Sequence, residues 1–239
     1  MSYGFKIIVE GEYALYTRPE MKVERVSYDV PTVSAMEGLV KSVYWKPAIR
    51  IVIDKIVVFN PIRFINIRRN EIKTKIPQRN VSSQMNGKGC SDIYASEVRS
   101  QRAGMLLKDV KYGVEFHFEL TGNKSEHADE SEEKHYNIML RRLRNGQCFR
   151  QPCLGCREFS VSRIELVDEF DLTQVDSSLE GDTDLGYMLY GMKFVDGGKP
   201  VNDNWDEPKF SDKADPMYYR PHMIDGVIDV AKYREGIIC

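Results

Sequence analysis

From Val110 to Leu120 the chain alternates without a break: Val110, Tyr112, Val114, Phe116, Phe118 and Leu120 are apolar, and Lys111, Gly113, Glu115, His117 and Glu119 stand between them. A period of two sends the two sets to opposite faces of a strand, so this segment needs a core on one side and water on the other. Only a sheet covered on one face meets that demand. The neighbouring segments must supply the cover.

They have the right periods. Phe5, Ile7 and Val9 interleave with Lys6 and Glu10 and predict a first strand running on through Tyr13-Ala14-Leu15. Val33, Met36, Val40, Val43 and Tyr44 recur at helical spacing, Ser34 and Glu37 have capping-box spacing, and Pro47 stops the run. Ile49, Ile51 and Ile53 alternate with Arg50, Val52 and Asp54, and Ile56 to Phe59 prolong that second strand until Asn60-Pro61. A second helix is predicted over 129–145, with Asp129, Glu130, Glu132 and Glu133 at its start, Arg141, Arg142 and Arg144 at its end, and Tyr136, Met139, Leu140 and Leu143 as its apolar stripe. Glu158 to Leu166 reads as the strand that follows it. The order strand, helix, strand, strand, helix, strand predicts an α+β fold of the ferredoxin-like βαββαβ kind.

Residues 61–103 interrupt this order with weak periodicity. Six basic residues (Arg63, Arg68, Arg69, Lys73, Lys75, Arg79) and one acidic one (Glu71) fall among positions 61–80, followed by a Ser/Gly/Asn-rich stretch. This reads as a basic insertion, with a short strand near Phe64–Ile67. After Asp168 the character changes to acidic and turn-rich, with hairpin signals at Asp196-Gly197-Gly198 and Asp225-Gly226. The chain is therefore expected to divide into residues 1–167 and a small antiparallel β-rich part, 168–239. Charge follows the same division: residues 1–165 carry 27 Lys and Arg against 20 Asp and Glu, and 166–239 carry 7 against 16. A net of −2 thus hides a basic body suited to a polyanion and an acidic segment suited to another partner. No apolar run is long enough for a membrane span and no export signal opens the chain, so a soluble, cytoplasmic protein is expected. Five cysteines, an odd number, fit a reducing compartment better than a disulfide framework.

Several groups have chemical potential. Cys148, Cys153 and Cys156 have a spacing met in metal sites but lack an evident fourth ligand, and they read as ordinary small side chains; no metal is expected. His117 reads as a solvated strand residue, and His127 and His222 as incidental or structural. His135, beside Lys134 in the first turn of the second helix, is expected outside the apolar stripe. A helix N-terminus attracts phosphate, an imidazole there can move a proton near neutral pH, and an adjacent ammonium can offset charge on a phosphorane. On spacing alone a surface Lys-His pair is usually no more than that. Tyr44 and Trp45 end the first helix, where a phenol and an indole could serve RNA or could simply plug the core. No phosphate-binding P-loop, GxSxG elbow, HExxH or two-metal carboxylate set occurs.

Taken together, Gly11-Glu12-Tyr13-Ala14-Leu15-Tyr16-Thr17, Tyr28-Asp29-Val30-Pro31-Thr32, Val43-Tyr44-Trp45-Lys46-Pro47, Lys134-His135-Tyr136-Asn137-Ile138, Leu154-Gly155-Cys156-Arg157-Glu158 and Leu185-Gly186-Tyr187-Met188 resemble, in order and spacing, the CRISPR-associated Cas five family in its subtype I-C (Dvulg) form. The resemblance spans nearly the whole chain. It implies a RAMP-type, RRM-like N-terminal domain, a small β-rich C-terminal domain, and an endoribonuclease that cuts CRISPR precursor RNA at each repeat hairpin without a metal or other cofactor. It also implies retention on the 5′ handle within the type I-C interference complex, whose other subunits and DNA are further expected partners. The family's catalytic Tyr, Lys and His fall on Tyr44, Lys134 and His135. Trp45, Lys46, Arg63, Arg68, Arg69, Lys73, Lys75, Arg141, Arg142 and Arg157 are then the expected RNA contacts, tracking phosphates in a shape-reading mode. Other subtypes of the family only cap the guide RNA, so a non-catalytic subunit is the alternative. Cys156 departs from the small residue expected in its motif.

Overall fold

A computed structural model describes residues 4–21, 23–89, 92–122, 131–197, 201–202, 207 and 209–239. The chain is a mixed α/β protein built on one large, mainly antiparallel sheet. Strands β1 (Gly4–Ala14), β2 (Arg25–Val26), β3 (Ile49–Val58), β4 (Phe64–Ile72), β5 (Arg99–Leu120), β6 (Arg163–Val167) and β7 (Asp182–Asp184) belong to it, with helices α1 (Val33–Val43), α2 (Gln78–Met85), α3 (Ala95–Val98) and α4 (Glu132–Arg144) in the connections. Strands β8 (Met188–Phe194) and β9 (Ala214–Tyr219) pair as a separate ribbon, and β10 (His222–Ile224) and β11 (Val227–Asp229) return to the large sheet. Its order is β6-β1-β5-β3-β11-β10-β7, with β2 and β4 also paired to β5.

The alternation over 110–120 is the centre of this sheet. Phe116 lies opposite Phe5 of β1 and Ile53 of β3, and Phe118 opposite Ile51. All of these are buried. Helix α1 brings Val33, Met36, Leu39, Val40 and Val43 to the core, and α4 brings Met139 and Leu143. Thr32, not Ser34, caps α1: its hydroxyl accepts from the Ala35 N–H at 3.2 Å.

Three expectations are corrected. β5 begins at Arg99, eleven residues before the alternation starts, because its first half pairs with β4 along nine successive residues; Leu106 and Leu107 still lie in the core, β2 joins at Gly104 and Met105, and beyond them the β4–β5 pair runs on as a two-stranded ribbon. That ribbon is the body of the expected insertion, and α2 at its far end has no buried residue. The last strand of the second unit is only Arg163–Val167; Phe159 and Val161 are buried from a loop closed by a bridge between Cys153 and Ser160. The second helix runs Glu132–Arg144 with Ser131 as its cap, and residues 129 and 130 lie outside the described residues.

Asp225-Gly226 is a hairpin link, as its residues suggest: φ values of 48° and 75° at the two positions are those of a type I′ turn between β10 and β11. A Cβ at Gly226 would also come within 2.8 Å of the Val58 carbonyl oxygen. Asp196-Gly197 follow β8, and residue 198 lies outside the described residues. No described helix is long and apolar enough to cross a membrane.

Candidate active site and nucleic-acid interface

The end of α1 and the start of α4 meet over β5. At Tyr44 the helix gives way to extended backbone, φ −154° and ψ 131°, while its N–H still reaches the Val40 carbonyl at 3.1 Å. Pro47, three residues on, forbids another turn. The phenol swings into the core, 3% exposed. At α4, Ser131 accepts from the Lys134 N–H at 3.2 Å and fixes the first turn. His135 is 1% exposed, which corrects its expected place outside the apolar stripe. The buried row is His135, Met139, Leu143, at spacings of four, and Tyr136 and Leu140 flank it half-buried. A histidine heading a row of apolar residues is easily left out of the stripe when residue type alone sets the boundary.

Tyr44 Oη and His135 Nδ1 are 2.8 Å apart, joining residues 91 positions apart in the chain. Their ring centroids are 5.9 Å apart, and the edge of Phe118 closes the other side of the imidazole at 6.2 Å. The Arg142 guanidinium carbon stands 5.1 Å from the Tyr44 ring centroid, and the same group donates to the Val43 carbonyl at 2.6 Å. A phenol hydrogen-bonded to an imidazole can pass a proton in either direction. Lys134 is adjacent and half-buried. Tyr44 and His135 are thus brought together at one helix junction, and Lys134 precedes His135 in the first turn of α4. Phe118 and the stacking role of Arg142 were not legible in the sequence, because both depend on which strand and helix face each other.

The expected RNA contacts fall in two regions. Trp45 is 50% exposed and Lys46 is exposed at the end of α1, and Arg141 and half-buried Arg142 lie on α4. Arg63, Arg68, Lys73 and Lys75 are exposed along the ribbon. Arg69 is engaged elsewhere: it pairs with Glu158 and lies over the Phe159 ring at 5.1 Å, part of a network in which Arg25 bonds Glu71 at 2.6 Å. Arg157 is exposed beside that network.

The sheet's other face carries a second cluster. His117, expected to be solvated, has a side chain 15% exposed and bonds Asp54 at 2.6 Å, while Arg234 holds the other Asp54 oxygen at 2.6 Å. Arg50 bonds Glu119 there, which holds that carboxyl below its ordinary range. His222 bonds Asp182 at 2.7 Å, and residue 127 lies outside the described residues. Cys148 is exposed and Cys153 and Cys156 half-buried, all three as free thiols. Among the described residues no three His, Cys, Asp or Glu side chains are grouped as metal donors.

The family model for CRISPR-associated protein (Cas_Cas5), in its Cas5d form, matches residues 5–231. The chain belongs to the Cas5d family. A Cas5d relative from Mannheimia succiniciproducens, named CRISPR pre-crRNA endoribonuclease, is 42% identical over 238 residues, covering 98% of this chain and 97% of that one. The Cas5d of the same name from Thermus thermophilus is 34% identical over 236 residues, 96% of this chain and 93% of its own. Among solved structures, a CRISPR-associated protein superposes with a TM-score of 0.63 at 24% identity, covering 95% of this chain and 91% of the other. A functionally uncharacterized protein from Streptococcus mutans gives 0.61 at 24% identity over the same shares. These two likenesses concern the Cas5d fold, a mixed α/β architecture on an antiparallel sheet.

Proposed function

We propose that this Cas5d chain is a metal-independent endoribonuclease that cuts CRISPR precursor RNA at the repeat hairpin and stays on the 5′ handle as a cytoplasmic subunit of the type I-C surveillance complex. The observation that carries the reading is the 2.8 Å hydrogen bond between Tyr44 and His135, in a chain whose curated relatives are named for this activity. The ribose 2′-oxygen attacks the adjacent phosphorus as its proton leaves to a base, and the 5′-oxygen departs as an acid protonates it. A 2′,3′-cyclic phosphate and a 5′-hydroxyl result. Tyr44 and His135 share the two proton transfers, and Lys134 offsets charge on the phosphorane. Acid, base and charge all come from side chains, so the step requires no metal.

In this reading β6-β1-β5-β3 with α1 and α4 is a ferredoxin-like unit, supported by the strand order and by the two helices joining strands that flank a common neighbour. Residues 1–167 hold the RNA, with the 61–103 ribbon and the basic end of α4 on its phosphates. Residues 168–239 form the acidic, β-rich part that faces another subunit. The burial of both rings favours one second reading: a structural Tyr-His pair in a non-catalytic subunit that only caps the 5′ handle.

The two readings separate in one experiment: the purified protein with its organism's repeat hairpin RNA in excess EDTA, beside His135→Ala. One cut with a cyclic phosphate end, lost in the variant while RNA binding persists, is the expected result. Binding without any cut by the unaltered chain would leave the capping subunit, and cutting that EDTA abolishes would overturn the mechanism.

A further inference from the structure

The loop after α4 is tied down more firmly than a connection needs. Gly146 turns the chain at a φ of 62°, the Gln147 N–H returns to the Arg142 carbonyl at 2.9 Å, and the N–H groups of Phe149 and Arg150 both donate to the Ser42 carbonyl at 2.9 and 3.2 Å. Ser42 lies two residues before Tyr44, so the loop is moored beside the Tyr44–His135 pair. The Phe149 ring is nevertheless 82% exposed. A mobile loop could fold such a ring away; a backbone anchored at two successive N–H groups presents it to solvent instead.

Next to Phe149 in sequence, Cys148 lines a cleft of about 180 Å³ with an apolar floor that includes Val43, Leu143 and Val161 and a polar rim that includes Arg142, Gln147 and Gln151. Arg142 thus belongs to the cleft and to the Tyr44 ring at once. From 134 to 157 the chain carries Lys134, Arg141, Arg142, Arg144, Arg150 and Arg157, and no Asp or Glu. The complementary ligand is a polyanion with flat, weakly polar faces and hydrogen-bonding edges. A paired base has its faces hidden in the stack and cannot use either an exposed phenyl ring or a cleft.

Resting on the RNA-processing reading above, we propose that Phe149 and the cleft form a subsite for unpaired nucleotides of the RNA, one base stacked on Phe149 and a neighbour's base seated in the cleft, beside the phosphate that Tyr44 and His135 address. Arg142 then links base recognition to the proton-transfer pair. The subsite adds selection for unstacked nucleotides next to the cut to whatever the ribbon reads from the duplex.

The test uses the full chain with hairpin RNA carrying a 2′-deoxyribose at the cut nucleotide, which blocks cleavage. 2-Aminopurine replaces, one at a time, each unpaired base flanking the hairpin, and an end label reports binding by anisotropy. Quenching is expected at one or two positions and relief of that quenching in Phe149→Ala, with affinity weakened about fivefold or more, as loss of one base–aromatic stack predicts. Phe149→Trp is expected to keep both the quenching and the affinity. Thermal melting of the two variants checks that they fold. Tight binding with no position whose fluorescence depends on residue 149 would overturn the subsite alone. No binding of any of the RNAs would instead overturn the RNA-processing reading, and the subsite with it.

Discussion

Replacing Tyr44 by Phe takes one oxygen from a buried contact and leaves its ring in place against Arg142 and His135. The lost hydrogen bond costs about 0.5–1.5 kcal/mol net, and leaving a buried imidazole nitrogen without that partner raises the cost to about 1–3 kcal/mol. For a chain of this length each kcal/mol lowers the melting midpoint by roughly 2–4 °C, so a fall of roughly 2–12 °C is expected. A domain stable by about 5 kcal/mol that loses about 3 is still some 97% folded at 25 °C. Unfolding therefore cannot imitate the loss of acid–base catalysis, which is about 10²- to 10⁴-fold. The assay is single-turnover cleavage of labelled hairpin RNA in EDTA, with anisotropy for binding and a thermal melt on the same preparation. Tyr44→Phe combined with His135→Ala should be little slower than His135→Ala alone, because the two act as one unit. A lowered melting midpoint with cleavage within about threefold of the unaltered protein would refute the reasoning and reduce the pair to a structural contact.

Arg142→Ala removes a cation–π contact worth about 0.5–2 kcal/mol, so a melting midpoint lower by roughly 1–8 °C is expected, and Arg142→Lys, lacking the planar fork, should recover only part of it; an unchanged midpoint would mean that the contact carries no stability. Gly155→Ala places a Cβ 2.0 Å from the Leu15 carbonyl oxygen at a φ of 85°, and urea unfolding should reveal a loss of at least about 2 kcal/mol; a smaller loss would mean that the backbone there yields. The Arg220 guanidinium holds the Asp184 carboxyl at about 2, below its ordinary 3.8. A depressed carboxyl contributes stability above its ordinary value and loses it as pH falls from about 4 to about 2. Arg220→Ala should therefore narrow the difference in melting midpoint between pH 6 and pH 2.5, and an unaltered difference would count against the pairing.

Where one face is buried, the sequence carries the fold in its period. The 110–120 alternation and the apolar spacing of α1 could be read because burial acts on every second or every third to fourth residue, and α4 because its acidic start and basic end follow the helix dipole. The first half of β5 pairs with β4 over Arg99–Leu107; none of Arg99–Met105 is buried, and Leu106 and Leu107 are buried side by side, so no period of two records the strand there. Phe159 and Val161 show the converse: two buried apolar residues at strand spacing that pack from a loop. The pairing of β7 with β10, about forty residues on, has no local signature either. Two of the motifs that carry the family resemblance touch one another. A Cβ at Gly11 would meet Leu154 at 2.3 Å, Gly155 lies against Leu15, and the Leu15 N–H bonds the Leu154 carbonyl at 3.0 Å. Those glycines are close-packing residues, which is why motif and fold are legible together there. Tyr44 and His135 were visible as residue types at helix ends, but their contact depends on two helices meeting across a strand, which spacing along the chain does not encode.

The position of β5 between β1 and β3 also sets the order in which the chain can be completed as it is made. β1 and β3 share no hydrogen bond, since β5 lies between them, and β5 ends more than sixty residues after β3 does. A nascent chain that has reached β3 holds two apolar strands with nothing to zip them together, Phe5, Ile7 and Val9 on one and Ile49, Ile51 and Ile53 on the other. It must wait, with unpaired edges, for a strand that arrives late. Only after α4 has followed can His135 find Tyr44. No N-terminal fragment short of residue 135 can therefore form that pair, and synthesis exposes the ribosome-bound chain to self-association until the central strand is in place.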